Sequence, residues 1–238
     1  MKEKKILAVI PARGDSKGMP GKNTLDLLGK PVIAYTIETA QQSKYLDRIV
    51  VSTDDEKIAE VAKEYGAEVP FIRPAELAED DVPLIPDVLR HAAKELARSE
   101  NFDAEIIVML QPTSPLRQAR YVDLAIDKLL NTKCDWVTTV SEAHPHPFRM
   151  RRMKGDKLEP LFEAENIWAQ RQDLPPVYHL SGAVYVTWKE VIMGEEVFLD
   201  KDWRGVIMKE EDAIDIDTLT DFLVAEAILK GRQGSEDQ

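Results

Sequence analysis

Cysteine is almost absent from this sequence of 238 residues, in which Cys134 stands alone. One thiol excludes an intrachain disulfide framework and a cysteine-rich zinc site, and it favours a reducing compartment such as the cytoplasm. No stretch approaches the roughly 20 apolar residues that a membrane helix requires. The first apolar run, residues 6–10, is too short for the core of a secretion signal. These absences predict a soluble, cytoplasmic protein without a membrane partner.

Positive charge is also in deficit, with 31 Lys and Arg residues against 43 Asp and Glu residues and a net charge of −12. Such a balance disfavours nucleic acid as the main partner. Hydrophobic residues make up 44% of the chain, which is enough for a packed core and argues against disorder. The length fits one large domain, or a domain with an elaboration.

Short apolar runs alternate with amphipathic segments, as in consecutive β-α-β units. The pattern therefore predicts a three-layer α/β/α fold around a mostly parallel sheet. The predicted strands are 6–10, 48–52, 68–72, 106–110, 136–140, 183–187, 206–208 and 214–216, and the predicted helices are 31–43, 56–65, 86–98, 120–130 and 218–229.

The alternation stops between residues 144 and 180, where prolines, a basic cluster and a Lys154-Gly155-Asp156 turn replace the helix of a crossover. We interpret this stretch as a subdomain inserted into a single domain of residues 1–230. Residues 231–238 are polar and are expected to form a mobile tail.

The loop after the first strand, residues 11–23, concentrates three glycines with three cations, Arg13, Lys17 and Lys22. Ligands bind at the carboxyl ends of strands in such sheets, and glycines let backbone N–H groups approach phosphate oxygens. The loop fits neither the P-loop spacing nor the dinucleotide pattern. It predicts a polyphosphate site of another kind, with a solvated basic turn as the alternative.

Asp215 and Asp217 alternate with apolar residues, so a strand would turn both carboxylates to one face. Two like charges there favour a bound cation, and Mg²⁺ takes one or two carboxylates together with phosphate oxygens. The alternative is that Asp217 caps the last helix.

Two further patterns contain weaker candidates for site residues. Gln111 follows a buried strand within LQPTSPLR and offers hydrogen bonds to a polyhydroxylated ligand, whereas Thr113 and Ser114 also fit a local turn. His144 and His146 lack an evident third metal ligand, so a structural role is favoured for both.

The loop IPARGDSKGMPGKN resembles the nucleotide-binding signature of the acylneuraminate cytidylyltransferases. The resemblance continues through VVSTDD, FIRPAELAEDD, DVLRHA, LQPTSPLR, HPFRM, RQDLPPVY, SGAVYV and IDIDT, and so covers nearly the whole chain. The sequence departs from the family at Ser181, where Asn is common, and in residues 81–84, where a Ser or Thr is frequent.

The resemblance implies a nucleotidyltransferase fold with a protruding dimerisation subdomain, in agreement with the break at His144, and a homodimer. It also implies a set of site residues. Arg13, Ser16 and Lys22 would contact the phosphates of CTP, Asn23 and Arg73 the nucleotide end, Gln111 the sugar, and Asp215 and Asp217 a Mg²⁺ or Mn²⁺ ion.

The roles of Arg73, Arg171 and Tyr178 each have an alternative. The guanidinium of Arg73 offers donors to cytosine, or it forms a surface ion pair with Glu76 or Asp80. Arg171 fits the carboxylate of a nine-carbon, or similar, 2-keto sugar acid and Tyr178 fits stacking on that sugar, but both are also candidates for a dimer interface.

The expected activity is transfer of CMP from CTP to the anomeric hydroxyl of a sialic-acid-like 2-keto sugar acid, with release of pyrophosphate. In-line displacement asks the protein for positioning and charge neutralisation, which Arg13, Lys22, Asp215 and Asp217 would supply. One alternative is a 3-deoxy-manno-octulosonate cytidylyltransferase, although residues 16–22 favour the sialic branch. Another is a non-catalytic nucleotide-binding protein of the same fold.

Overall fold

The computed structural model describes residues 4–14, 18–78, 85–162, 169–198 and 200–236. Helices and strands alternate through most of this part of the chain. The strands are β1 (Ile6–Pro11), β2 (Asp26–Leu27), β3 (Lys30–Pro31), β4 (Arg48–Ser52), β5 (Ile106–Leu110), β6 (Trp136–Glu142), β7 (Arg151–Lys154), β8 (Lys157–Pro160), β9 (Tyr178–Trp188) and β10 (Trp203–Ile207). The helices are α1 (Val32–Gln41), α2 (Glu56–Glu64), α3 (Ile85–Glu100), α4 (Ala119–Thr132), α5 (Lys189–Met193) and α6 (Leu219–Glu236).

Six strands form one sheet in the order β10-β6-β9-β5-β1-β4. The pairs β1–β4, β1–β5 and β6–β10 are parallel, whereas β9 runs antiparallel to both of its neighbours, β5 and β6. The predicted α/β fold with a mostly parallel sheet is therefore confirmed. The carboxyl ends of β1, β4 and β5 lie side by side at one edge of the sheet.

Successive side chains of β1 enter two different hydrophobic cores, as the period of a strand covered on both faces requires. Ala8 and Ile10 pack with α1, α2 and α4, while Leu7 and Val9 pack with α3 and α5. A third, smaller cluster joins α6 to the β2–β3 hairpin, the start of α1 and the segment around Ile216.

Two predicted strands are wrong. Residues 68–72 make only a single bridge, from Glu68 to Val50, because Pro70 has no N–H to continue a ladder. Residues 214–216 form no regular strand; the N–H of Ile216 donates instead to the carbonyl of Thr113 (2.8 Å).

The described part of residues 144–180 contains the antiparallel β7–β8 hairpin, which turns through Gly155 at φ 65°. β9 begins at Tyr178, so the end of this segment belongs to the sheet. α6 continues to Glu236, so residues 231–236 of the predicted polar tail are helical. Among the described helices, none combines the length and the apolar character needed to cross a membrane.

Candidate active site

A cavity of about 330 Å³ opens at the carboxyl ends of β1, β4 and β5. The loops that follow β1 and β5 supply most of its polar lining, and Arg73, which lies beyond α2, supplies the rest. Five of the predicted site residues line it: Arg13, Lys22, Asn23, Arg73 and Gln111.

Arg73 is almost completely buried, with 4% of its surface exposed. Its Nη2 donates to Asp54 Oδ1 (3.1 Å), so the predicted ion pair with Glu76 is replaced by one with Asp54, and Asp80 lies outside the described residues. Asp54 also accepts from the N–H of Gly14 (3.3 Å). Burial lowers the pKa of Arg73, and the positive charge of Arg13 lowers this pKa further. The carboxylate of Asp54 acts in the opposite direction.

Asn23 and Lys22 belong to a short 3-10 helix, Lys22–Thr24, that closes the first loop. The Nδ2 of Asn23 donates to the carbonyl of Arg13 (3.1 Å), and its buried Oδ1 has no hydrogen-bond partner among the described residues. Lys22 Nζ donates to Asp217 Oδ1 (2.8 Å) and to the carbonyl of Ile216 (3.1 Å). The first loop is thereby tied to the segment that carries the acidic pair.

A second cavity, of about 430 Å³, adjoins the first one through Gln111, which lines both. Its lining includes Ser181, Gly182 and Tyr185 of β9, together with Asp215. The buried Gln111 Oε1 has no hydrogen-bond partner in the described part of the chain.

Gly182 makes this junction sterically possible. It has a φ of 76°, and a Cβ at this position would lie 2.3 Å from Gln111 Oε1 and 3.6 Å from Asp215 Oδ2. Any side chain here would therefore displace Gln111, in addition to the strain of the left-handed backbone.

Asp215 is half-buried, and its Oδ1 has no hydrogen-bond partner in the described chain. Burial raises the pKa of Asp215 above that of an ordinary aspartic acid, and the negative charge of Asp217 adds to the rise. A hydrogen bond from Thr113 and the positive charge of Lys22 act in the opposite direction. Asp217 itself is exposed. The two carboxylates are therefore unequal, because the segment is not the strand that the alternation predicts.

The capping interpretation of Asp217 is wrong. Thr218 and Asp221 cap α6 reciprocally: Asp221 Oδ2 accepts from the N–H of Thr218 (2.7 Å), and Thr218 Oγ1 accepts from the N–H of Asp221 (3.3 Å). The carboxylate of Asp217 is thus left to face Lys22.

Arg117, within LQPTSPLR, is not among the site residues predicted from the sequence, but it supports Gln111. It is 2% exposed, and its Nη1 donates to the carbonyls of Gln111 (3.1 Å) and Ala183 (2.7 Å), which joins the end of β5 to β9. Burial lowers the pKa of Arg117 to about 9, while the negative charge of Asp215 acts against this change. The guanidinium therefore remains charged at neutral pH.

The remaining predicted residues are placed elsewhere. Tyr178 is exposed at the start of β9 and is not among the described residues that line either cavity. Arg171 begins a short 3-10 helix, Arg171–Asp173, and Ser16 lies outside the described residues.

His146 Nδ1 accepts from the N–H of Phe148 (3.2 Å), which is a structural role. His144 Nε2 lies 3.7 Å from Glu142. In the described part of the chain no cluster of three or more His, Cys, Asp or Glu side chains is arranged to hold a metal.

The geometry joins a cavity with three cationic side chains to one with the half-buried carboxylate of Asp215, through a shared glutamine. The first suits the phosphates of a nucleotide, and the second leaves room for an acceptor close to Asp215. Such an arrangement serves the transfer of a nucleotidyl group.

Solved structures of similar fold include a CMP:2-keto-3-deoxy-manno-octonic acid synthetase complexed with CTP. Its TM-score is 0.71 at 18% sequence identity, and the match covers 96% of this chain and 99% of that one. The fold and the site together define an α/β nucleotidyltransferase.

The sequence profile described as Cytidylyltransferase matches residues 7–202. The chain is 36% identical over 233 residues to the CMP-N,N'-diacetyllegionaminic acid synthase of Legionella pneumophila, covering 96% of this chain and 98% of the relative. It is 34% identical over 227 residues to a pseudaminic acid cytidylyltransferase of Campylobacter jejuni, covering 95% and 97% of the two chains. The chain belongs to the cytidylyltransferase family, in the branch of cytidylyltransferases for sialic-acid-like sugar acids.

Proposed function

We propose that this enzyme transfers CMP from CTP to the anomeric hydroxyl of a sialic-acid-like 2-keto sugar acid and releases pyrophosphate. The observation that carries the proposal is the shared wall of the two cavities. Gln111 lines both, so a nucleotide in the cationic cavity and an acceptor beside Asp215 would meet at this residue. The names of the similar proteins, which specify diacetyllegionaminic and pseudaminic acids, support an acceptor of this class.

In this mechanism Arg13 and Lys22 neutralise the triphosphate, and the phosphate contact of Ser16 stays a prediction. Asn23 offers a ribose hydroxyl its amide oxygen, which has no hydrogen-bond partner among the residues that the structure describes. Arg73, held by Asp54, presents guanidinium donors to the O2 and N3 acceptors of cytosine. The acceptor hydroxyl attacks the α-phosphorus in line with the leaving pyrophosphate, so no covalent enzyme intermediate is required.

A Mg²⁺ or Mn²⁺ ion fits Asp215 and Asp217. The fit rests on Asp215, whose buried Oδ1 has no partner in the described chain and whose ionised form is disfavoured until a cation approaches. Asp217 already forms an ion pair with Lys22, so we propose that it binds the cation more weakly than Asp215 does. Bound there, the ion would neutralise charge on the phosphates of CTP.

The second cavity is proposed to hold the sugar acid, with Gln111 donating from its amide to a hydroxyl or carbonyl of the acceptor. Arg171 and Tyr178 stay predictions for the carboxylate and the ring. In a homodimer, the Arg149, Arg151 and Arg152 side chains of one protomer would be available to the neighbouring site.

The β7–β8 hairpin is the proposed centre of the dimer interface, within an inserted subdomain of about residues 144–180. Its cross-strand partners Met153 and Leu158 are 63% and 61% exposed, and Leu161 and Phe162 follow with large exposed fractions. Apolar side chains grouped in this way favour a protein partner, and a second copy of the chain is the simplest one. We place the enzyme in the cytoplasm, in keeping with its single, free thiol.

A panel of acceptors tests the function. Legionaminic, pseudaminic and neuraminic acids and 3-deoxy-manno-octulosonate are each incubated with CTP and Mg²⁺, and pyrophosphate release is measured. We expect turnover with a nine-carbon acid and much less with the eight-carbon one. Preference for the eight-carbon acid would support the alternative enzyme, and absence of release with every acid would support a non-catalytic protein.

A further inference from the structure

Asp212 is a carboxylate with no accessible surface that lies three residues before Asp215. Four side chains donate to it. Tyr121 Oη lies 2.7 Å from Oδ2 and Arg120 Nη2 lies 3.2 Å from the same oxygen. Gln118 Nε2 lies 3.1 Å from Oδ1, and Arg232 Nη2 also contacts Oδ1. A buried charge of this kind is retained only where its partners are held in place.

The donors come from two elements that are distant in sequence. Gln118, Arg120 and Tyr121 belong to the start of α4, whereas Arg232 belongs to the last turns of α6. Arg232 also donates from Nη1 to the carbonyl of Leu116 (3.3 Å) and from Nη2 to that of Glu211 (3.5 Å). The end of α6 is therefore fixed to the loop that precedes α4 and to the short helix Glu210–Asp212.

The segment that these contacts hold is the one that presents Asp215 and Asp217. It has no strand ladder of its own, because residues 213–217 lack regular secondary structure. Asp212 anchors one end of the segment, and the other end is held by the N–H of Ile216, bonded to Thr113, and by Lys22, which donates to the carbonyl of Ile216 and to Asp217. Ile216 also packs in the hydrophobic cluster beneath α6.

We propose that Asp212 and Arg232 are positioning residues for the carboxylates of Asp215 and Asp217, so that the C-terminal end of α6 controls how the chain binds its divalent cation. This inference rests on the proposed function, because it gives Asp215 and Asp217 the role of cation ligands. Asp212 and Arg232 act through the backbone of residues 212–217 and touch neither substrate in the mechanism. Groups that support a ligand in this way commonly change metal affinity about 10- to 100-fold when they are removed.

The experiment compares Arg232→Met with Lys230→Met in the full-length chain. Both changes remove a cation from α6, but Lys230 pairs only with Glu226 on the same helix in the described contacts (3.0 Å). Arg232→Lys keeps the charge and loses the fork that reaches three acceptors. Two quantities are measured: the Mg²⁺ concentration for half-maximal pyrophosphate release, and hydrogen exchange of residues 210–217 in the protein without metal.

For Arg232→Met we expect the half-maximal Mg²⁺ concentration to rise about tenfold, while kcat and the KM for CTP at saturating Mg²⁺ stay within about twofold of the wild type. We also expect faster hydrogen exchange in residues 210–217 and unchanged exchange in β1 and α3. For both quantities, Arg232→Lys should give values between those of Arg232→Met and the wild type. Lys230→Met should match the wild type. If Arg232→Met fails to fold, Arg232→Lys is measured in its place against the same control.

Wild-type Mg²⁺ dependence and wild-type exchange in the Arg232 variants would overturn the inference. Asp215→Asn, run in parallel, separates this failure from that of the proposed function. If Asp215→Asn loses turnover and the Arg232 variants do not respond, only the positioning role is rejected. If Asp215→Asn is as active as the wild type, the cation site itself is rejected and the positioning role with it.

Discussion

Apolar side chains are usually buried and polar ones exposed, but two regions of this protein depart from that rule. The sheet edge around the two cavities does so in one way, and the β7–β8 hairpin does so in the opposite way. At the sheet edge, polar and charged groups are buried: Asn23 and Arg73 are each 4% exposed. In the hairpin, apolar groups are exposed, with Met153 at 63% and Leu158 at 61%. Each arrangement costs folding stability in the isolated chain. The difference is the basis of the proposals above, that polar ligands bind at the sheet edge and that the hairpin contacts an apolar surface.

The largest effect is expected for Asp215→Asn, which tests whether burial at the sheet edge serves a cation. Turnover should fall about 10²-fold or more, since a charge contact that acts on the phosphates in the transition state is lost. Asp103→Asn, at an exposed carboxylate that pairs with Lys189, is the matched control and should keep wild-type turnover. Pyrophosphate release across a Mg²⁺ titration checks both variants, and wild-type turnover of Asp215→Asn at limiting Mg²⁺ would contradict the assignment.

The same substitution should stabilise the protein without metal at neutral pH. The pKa of Asp215 is raised in the folded chain, so the folded state favours the protonated carboxyl. The corresponding contribution to stability is present below the ordinary pKa of aspartic acid and is lost as the pH rises through the raised value. Melting temperatures measured from pH 3 to pH 8 should therefore show the advantage of Asp215→Asn growing with pH. An advantage that is independent of pH would contradict this explanation.

Arg73→Lys tests whether the buried guanidinium recognises the base. The variant keeps a positive charge but loses the planar fork, so the ratio of kcat/KM for CTP to that for UTP should fall about tenfold. Arg98→Lys, at an exposed residue on α3, is the control and should leave the ratio unchanged. An unaltered ratio in Arg73→Lys would assign Arg73 to the structural pair with Asp54 alone.

Alanine at Gly182 and at Gly155 compares the two regions directly, because both glycines have a positive φ. Each substitution should lower the free energy of unfolding by about 1 to 2 kcal/mol through backbone strain. A Cβ at Gly155 meets no atom within 4 Å, whereas one at Gly182 displaces Gln111. Only Gly182→Ala should therefore raise the KM for the acceptor severalfold. Equal kinetic effects of the two variants would show that strain, and not the contact with Gln111, is responsible.

The smallest change in stability is expected in the hairpin. If the proposed dimer forms through the hairpin, Met153→Glu combined with Leu158→Glu should halve its mass in light scattering, because two charges replace a cross-strand apolar pair. Stability of the separated chains should change by less than about 0.5 kcal/mol, since both side chains are already exposed. Leu124→Glu, on α4, is the control and should remain dimeric. A wild-type protein that is monomeric at micromolar concentration and fully active would reject the interface.

Much of the sheet could be predicted from sequence because buried parallel strands are continuous apolar runs. The strands at residues 48–52 and 106–110 were predicted with the bounds that the structure has. Irregular segments were harder, since Pro70 ends the ladder at one bridge and residues 213–217 are held by a side-chain network. Nothing in the local pattern indicates that Asp212 is buried by an arginine 20 residues further along the chain.

At the site, the first loop and Gln111 were found because charge and hydrogen-bonding groups cluster at the ends of predicted strands. Arg117 and Asp54 were not predicted as site residues, although both lie in motifs named above, because Arg117 bonds to a strand far along the chain and Asp54 to a loop beyond the next helix. The role of Gly182 depends on a contact with Gln111 that only the folded chain brings about. Contacts between segments that are distant in sequence were therefore the part of the site that could not be predicted.

Direct detection of the product tests the central claim, that this sheet edge joins CMP to a sugar acid. The full chain is incubated with Mg²⁺, a nine-carbon 2-keto sugar acid and equal amounts of CTP and UTP, and the nucleotide products are resolved by mass spectrometry. We predict one CMP-sugar for each pyrophosphate released and only a minor uridylyl product. Equal yields from the two nucleotides, or pyrophosphate release without a CMP-sugar, would contradict the account.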